Sequence, residues 1–378
     1  MKNNNKRILL ASPRMMGNEE KYVKEAFRTN WIAPLGPFVN KLEEEFKKYM
    51  ELDGACALAS GTAGLHLALK LAGVKEGDYV FCSTLTFSAS ANPILYEKAI
   101  PVFIDSEPNS YNMSPVALEK AFKKYTPKAV IIVSLYGMPA EMKELVKICK
   151  KHKVTIIEDA AESLGATYKG KKVGTFGDYN IISFNGNKII TTSGGGMLLT
   201  KKEKDAKKAL FWATQSREPA RHYEHKEIGY NYRMSNVSAA IGCGQFECLD
   251  KLIKIKQDIF NTYCEEFKDV EQIVMLKEDK DRVSTHWLSI MKLKDTEVLP
   301  NDIIDALDKE NIESRPIWKP MHMQPIFKKY PFFNHNNKGI SVSEELFNTG
   351  LCLPSDSNMT KKEQLRVINI IKDTINKE

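Results

Sequence analysis

Lys188 sits in the stretch Ile182-Ser-Phe-Asn-Gly-Asn-Lys188-Ile-Ile-Thr-Thr-Ser-Gly194-Gly-Gly196, after an apolar run and among glycines and hydroxyl residues, with no acid beside it in sequence. A lysine in a polar loop is ordinarily a solvated surface cation. Three consecutive glycines alter that expectation, because they permit a tight turn or a close backbone approach, and an amine held over such a spot is suited to Schiff-base chemistry. A second signal is Thr155-Ile-Ile-Glu158-Asp159-Ala-Ala-Glu162-Ser, where two carboxylates end an apolar run. An acid there is commonly a helix N-cap. The alternative is a carboxylate that holds a protonated ring nitrogen, the interaction that makes pyridoxal phosphate an electron sink.

Two further stretches complete a set. Ala59-Ser60-Gly61-Thr62-Ala63-Gly64 leads straight into an apolar helical pattern; small residues there let backbone N–H groups converge at a helix N-terminus, where the macrodipole favours a phosphate. Taken alone it is also an ordinary helix start. Thr84-Leu-Thr-Phe87-Ser-Ala-Ser places an aromatic just past another apolar run, where a flat ring could stack, although a lone Phe is more often core. In chain order these are a phosphate cradle, a ring stacker, a pyridinium acid and a Schiff-base lysine.

The elements that must hold them follow from periodicity. Short β-branched runs, each bounded by Gly, Pro, Asn or Asp, predict strands at Ala55–Ala59, Tyr79–Cys82, Val102–Ile104, Ala129–Leu135, Val154–Glu158, Tyr179–Phe184 and Met197–Thr200. Helical spacing of Leu65, Leu69 and Ala72, and of Met142, Leu145, Val146 and Cys149, predicts helices over Ala63–Ala72 and Ala140–His152. Strand and helix alternation predicts an α/β/α large domain on a mostly parallel seven-stranded sheet, with chemistry gathered at the strands' carboxyl ends. From about Lys251 the pattern changes to a long charged helix, a strand near Trp287–Met291, a helix near Pro300–Glu310 and a last helix from Lys361. The division expected is therefore 1–250 for the large domain and 251–378 for a smaller α+β domain, with the start, Lys2–Lys6, disordered.

Of 378 residues, 43% are hydrophobic and 27% charged, an ordinary globular balance. The net charge of +7 arises from scattered basic pairs with interleaved acids, which does not fit a nucleic-acid stripe. No run approaches the ~18 apolar residues of a membrane span, and none resembles a signal peptide's apolar core. Seven cysteines without a CxxC pair or zinc spacing point to no metal site and to a reducing cytoplasm.

The sequence resembles the DegT/DnrJ/EryC1/StrS family of pyridoxal-phosphate sugar aminotransferases over nearly its whole length. The motifs are Asn30-Trp-Ile-Ala-Pro-Leu-Gly36, Glu158-Asp-Ala-Ala161, Ser183-Phe-Asn-Gly-Asn-Lys188, Gly229-Tyr-Asn-Tyr-Arg-Met-Ser235 and Arg315-Pro-Ile-Trp-Lys-Pro320. The resemblance implies the fold type I aminotransferase architecture. It implies that Lys188 is the Schiff-base lysine and the proton-moving base, that Asp159 holds the pyridinium, and that Phe87 stacks on the ring. Ser183 and the backbone of Thr62 and Ala63, beside Gly61, would hold the phosphate. Asn231 would reach the phosphate of the neighbouring subunit, so a homodimer with shared active sites is implied. Two departures stand out: Glu162 replaces the Gln or His frequent beside the cofactor's phenolic oxygen, and Ser193-Gly-Gly-Gly196 replaces Gly-Glu-Gly-Gly.

Arg217, His222, Tyr223, His225, Arg233, Arg315, Trp318 and His322 offer cations and aromatics for a nucleotide-linked keto-sugar, with L-glutamate as the amino donor. The closest subgroup acts on UDP-linked 4-keto-6-deoxy-N-acetylhexosamines; GDP-perosamine synthases and dTDP-keto-sugar enzymes are the alternatives. A related sugar dehydratase would carry histidine in place of Lys188, a cofactor-binding regulator would need an attached DNA-binding module, and a Rossmann dehydrogenase would need an early GxGxxG. None of these features is present.

Overall fold

The computed structural model describes residues 6–376; residues 2–5 of the start expected to be disordered lie outside that range. All seven expected strands form, at β1 Gly54–Leu58, β2 Tyr79–Ser83, β3 Ile100–Ile104, β4 Pro127–Val133, β5 Thr155–Asp159, β6 Tyr179–Ser183 and β7 Gly196–Thr200. The C-terminal part adds β8 Ile273–Met275, β9 Ser289–Leu293, β10 Arg315–Pro316, β11 Phe332–Phe333 and β12 Gly350–Leu353. Helices used below are α1 Pro37–Met50, α2 Gly61–Leu71, α3 Met142–Lys151, α4 Leu249–Glu266, α5 Pro300–Lys309 and α6 Lys361–Ile375.

The main sheet has eight strands rather than seven, in the order β1-β7-β6-β5-β4-β2-β3-β11. The eighth, β11, is two residues long and pairs in parallel with β3 through Phe103 N–H to Pro331 O (2.8 Å) and Asp105 N–H to Phe333 O (3.0 Å). A two-residue strand has no periodicity to detect. Only β7 runs antiparallel to its neighbours. β2 to β5 are almost wholly buried, as expected where helices cover both faces of a parallel sheet.

The C-terminal part folds around its own sheet, β8-β9-β12-β10, and a core in which Ile259, Phe260 and Tyr263 of α4 meet Ile303 and Leu307 of α5 and Val367, Ile368 and Ile371 of α6. The expected boundary at 250 is crossed in both directions. Ile8 pairs with Ile312, and Ser12 Oγ donates to Asp356 Oδ2 (2.5 Å), so the N-terminal segment belongs to the C-terminal core. Conversely, 317–333 returns to the main sheet.

β1 is an edge strand, and exposed edges invite unwanted pairing. The segment 229–235 covers it: Ala59 N–H donates to Tyr232 O (2.7 Å) and Met234 N–H to Ala57 O (3.3 Å). Arg233 pins that cover by pairing both guanidinium nitrogens with Glu43 of α1, while Glu43 also accepts from Ala57 N–H (2.7 Å). Both side chains are largely buried. Removing one partner of a buried pair strands the other charge, at a cost of about 3 kcal/mol. Glu43→Ala should therefore lower the denaturant midpoint of unfolding by that much stability at an unchanged m-value; an unaltered midpoint would show that the pair holds nothing in place.

Candidate active site

The carboxyl ends of β5 and β6, the N-terminus of α2 and the glycine turn before β7 surround a cavity of about 330 Å³, within the usual range for small-molecule sites. Gly61, Thr62, Phe87, Asp159, Glu162, Ser183, Lys188 and Trp318 line it. All eight belong to the residues that the sequence marks as candidates. Ser90, Asn185, Asn187 and Trp287 also line it and carry no such mark of their own.

Neighbouring residues on a strand point to opposite faces, and this separates the two acids of β5. Glu158 turns away from the cavity and accepts N–H bonds from Gly174 (2.7 Å), Phe176 (2.7 Å) and Gly177 (3.3 Å), so it organises a turn. Asp159 faces the cavity, where Oδ2 accepts from Ser90 Oγ (2.7 Å) and Oδ1 from Ala161 N–H (3.2 Å). Burial raises its pKa above the ordinary carboxyl value, opposed by those hydrogen bonds and by the charge of Lys188.

Lys188 is not unpaired, as its sequence surroundings implied. Its Nζ lies 3.3 Å from Glu162 Oε1; the Glu162 side chain is buried, at 4% exposure, and that of Lys188 is largely so, at 12%. The second oxygen of Glu162 accepts from Tyr136 N–H (2.7 Å). Burial raises the Glu162 pKa, and Lys188 and the Tyr136 amide pull it back. The 26-residue separation of the pair hides it from a local reading.

The proposed phosphate cradle has a defined shape. Ser60 caps α2 by accepting from Ala63 N–H through Oγ (3.1 Å), so the Ala63 amide expected to hold phosphate is already bonded within the cap. Thr62 N–H, in the first helical turn where no preceding carbonyl is available, and the Ser183 hydroxyl remain as donors. A Cβ on Gly196 would lie 2.5 Å from Gly61 N. Gly195 and Gly196 therefore serve close approach, whereas a Cβ on Gly194 would meet only Ala59 O, at 3.9 Å; none of the three has a positive φ, and the left-handed residue of this turn is Ser193, at φ 71°. An amine, a buried carboxylate, a helix N-terminus with a hydroxyl beside it and an aromatic wall fit the chemical groups of pyridoxal phosphate.

The expected substrate residues divide. Trp318 reaches the cavity and packs on Phe87 at 5.4 Å between centroids. Arg233 does not, because its guanidinium is committed to Glu43. Arg315 pairs with Glu313 (2.8 Å) and is largely exposed. His322 is held by Thr84 Oγ1 (2.7 Å) and stacks on Phe332 at 3.7 Å, tying the C-terminal part to the main sheet. Arg217, His222, Tyr223 and His225 lie in one polar loop outside the cavity, where Arg217 covers the Tyr223 ring at 4.4 Å and bridges to His225. Asn231 is exposed at the base of that loop, paired with Thr214.

Because the folded Asp159 pKa is raised, ionisation disfavours the fold: that contribution is absent below the ordinary carboxyl range, where the group is neutral, and stability falls as pH rises through the folded value. Asp159→Asn should thus raise the thermal midpoint of the cofactor-free protein at neutral pH while lowering kcat/KM at least ~100-fold, or ~2.7 kcal/mol. A lower midpoint with retained activity would contradict both roles.

The model of the DegT/DnrJ/EryC1/StrS aminotransferase family matches residues 13–372. Bacillus subtilis EpsN, a provisionally assigned pyridoxal phosphate-dependent aminotransferase, is 53% identical over 97% of this chain and 95% of its own. A GDP-perosamine synthase of Escherichia coli O157:H7 is 36% identical over 97% and 98%. The Campylobacter jejuni UDP-4-amino-4,6-dideoxy-N-acetyl-beta-L-altrosamine transaminase is 30% identical over 90% and 89%. A crystal structure of a DegT DnrJ EryC1 StrS aminotransferase from Brucella abortus superposes with a TM-score of 0.86 at 26% identity, covering 95% of each chain. With its fold type I architecture and this cavity, the chain belongs to the DegT/DnrJ/EryC1/StrS aminotransferase family and is a pyridoxal-phosphate-dependent aminotransferase.

Proposed function

We propose that this enzyme transfers the amino group of L-glutamate to C4 of a UDP-linked 4-keto-6-deoxy-N-acetylhexosamine, giving the UDP-4-amino sugar and 2-oxoglutarate for surface-glycan synthesis. The observation that carries the transaminase assignment is the Lys188 amine, buried between Glu162 and Trp287 in the cavity that Asp159 faces. Bound pyridoxal phosphate supplies the electron sink for a carbanion at the donor carbon. Asp159 keeps the proton on the ring nitrogen. Lys188 Nζ takes the proton from the donor's Cα and, in the second half of the cycle, delivers one to C4 of the sugar, setting the amine's configuration. Glu162, bonded to Lys188 Nζ and to the Tyr136 amide, orients the amine. Thr62 N–H and Ser183 hold the phosphate at the positive end of α2. One site serves both halves, so kinetics are ping-pong.

The minimal active unit is a homodimer. Asn231 is exposed, and it sits between residues that are fixed: Tyr230 and Tyr232 stack at 4.8 Å, and Arg233 is pinned by Glu43. An exposed residue on an anchored segment is suited to entering a partner's site, and the loop carrying Arg217, Tyr223 and His225 accompanies it. Mixing Lys188→Ala protein with an Asn231→Ala protein tests this sharing: one site of the mixed dimer collects both lesions and the other has none, so activity returns. No recovery despite demonstrated subunit exchange would rule sharing out.

No helix among the described residues is long and apolar enough to cross a membrane. All seven cysteines are unpaired thiols, which supports a reducing cytoplasm.

The UDP reading is supported by the resemblance of the Lys188 stretch, the Trp31–Gly36 stretch and the Arg315–Trp318 stretch to the bacillosamine-type subgroup, and by the Campylobacter relative. The GDP-sugar alternative is supported by the perosamine synthase relative. A site that hydrogen-bonds a substrate group rejects analogues lacking it far better than merely smaller ones, so a bound 2-acetamido group is a strong discriminator. Turnover of UDP-2-acetamido-2,6-dideoxy-4-hexulose with L-glutamate should exceed that of dTDP-4-keto-6-deoxyglucose and GDP-4-keto-6-deoxymannose at least roughly tenfold in kcat/KM. Preference for either competitor in parallel assays would replace the UDP assignment and leave the transaminase intact.

A further inference from the structure

The C-terminal part of the chain meets the reacting lysine at Trp287. The Nζ of Lys188 lies 3.9 Å from the centroid of the Trp287 ring, well inside the range at which an ammonium is attracted to an aromatic face. The same side chain grips the neighbouring residue, because its indole N–H donates to Asn187 O at 2.6 Å. Thus ring and N–H act on two consecutive residues of the lysine loop. Trp287 is 2% exposed, so neither contact is a chance surface encounter.

Trp287 is itself anchored from three sides. Its carbonyl accepts from Lys256 Nζ (3.2 Å), which also donates to Ser355 O (2.5 Å), so a buried ammonium from α4 joins the start of β9 to the loop after β12. Such a lysine is costly to bury: its pKa falls to about 8. On the opposite side, Gly137 passes so close that a Cβ there would lie 2.8 Å from Trp287 N. Tyr136 stacks across at 6.5 Å and Trp318 lies at 6.5 Å. The ring has little freedom to swing away. The charged groups that act on Lys188 from the other elements are Glu162, at 3.3 Å, and Asp159. Both are carboxyl groups of the large domain, whereas Trp287 is an uncharged seat supplied by the other part of the chain.

We propose that Trp287 is a positioning residue for Lys188, seating the free amine on its indole face and fixing the lysine loop through Asn187 O. This rests on the reading of Lys188 as the reacting amine. It gives the C-terminal part a role in the reaction beyond lining the substrate pocket: the rigidity of the Lys256 anchor is transmitted to the amine through one aromatic ring.

The two contacts can be separated by substitution. Trp287→Leu removes ring and N–H together, while Trp287→Phe keeps an aromatic face and loses only the N–H. In the cofactor-free protein, acetylation of Lys188 by an amine-directed N-hydroxysuccinimide ester, followed by peptide mass spectrometry at fixed mildly alkaline pH, reads how firmly the amine is held. Labelling of the exposed Lys24 serves as the internal reference. Trp287→Leu should accelerate Lys188 labelling at least about threefold, from the strength of a buried cation–π contact, and Trp287→Phe should stay within about twofold of wild type. In the loaded enzyme, Trp287→Phe should lower kcat several-fold with KM for both substrates unchanged, because the loss is in the fixing of the lysine loop through Asn187 O rather than in substrate contact. Wild-type labelling in Trp287→Leu, or an equal acceleration in both variants, would overturn the proposal. If Trp287→Leu does not fold by circular dichroism, the Phe variant decides: rapid labelling in a folded Trp287→Phe protein contradicts the seat. The labelling needs no turnover, so its outcome is independent of whether Lys188→Ala abolishes activity, which is the separate test of the underlying reading.

Discussion

Two carboxylates and an ammonium are buried together at the carboxyl ends of β5 and β6, and much of the surrounding architecture offsets that cost. Desolvation pushes both Asp159 and Glu162 toward the neutral form, and an unpaired buried charge would be untenable. The offsetting contacts come from four places: Ser90 beyond β2, the Ala161 amide, the Tyr136 amide beyond β4, and Lys188 before β7. Each is delivered by a different strand end. A parallel sheet with helices on both faces is the arrangement that brings so many strand ends to one dry place. The stability spent on holding these groups is stored as preorganisation, because the charges are already oriented when a ligand arrives.

The same constraint explains the close packing around the cavity. Gly196 is required because β7 runs directly under the Ser60–Gly61 peptide, which keeps the helix N-terminus near Ser183. On the outer edge of the sheet, Arg233 and Glu43 hold the covering segment against β1. That segment leaves Asn231 outward, so the feature that protects an edge strand also fixes the residue proposed to enter a partner's site. The C-terminal part closes the remaining side with Trp287 and Trp318, and is tied back to the main sheet by His322 and by β11.

Much of this was legible in the sequence. The seven strands carry apolar runs, rich in β-branched residues in β3 to β6, and the carboxyl-end motifs lie just where those runs stop. Lys188, Asp159, Glu162, Ser183 and Phe87 were accessible because their neighbours are unusual in type. What escaped detection was of another kind. The Lys188–Glu162 pair, the indole of Trp287 over the lysine and the Arg233–Glu43 bridge join residues 26, 99 and 190 positions apart in the chain, and local patterning contains no term for such contacts. Arg233 looked like a substrate cation because an arginine beside a tyrosine-rich motif has the same composition whether it faces ligand or carboxylate. The eighth strand is too short to have a period, and its pairing is set by where 317–333 returns.

The proposed reaction depends on Lys188 being the amine that bonds the cofactor. Reduction of the holoenzyme with sodium borohydride, followed by proteolysis and mass spectrometry, fixes the cofactor to whichever amine holds it. One modified peptide is expected, carrying the phosphopyridoxyl mass on Lys188 and lost in Lys188→Ala. Modification of any other lysine in its place, or a reduced holoenzyme whose Lys188 peptide is unmodified, would contradict it.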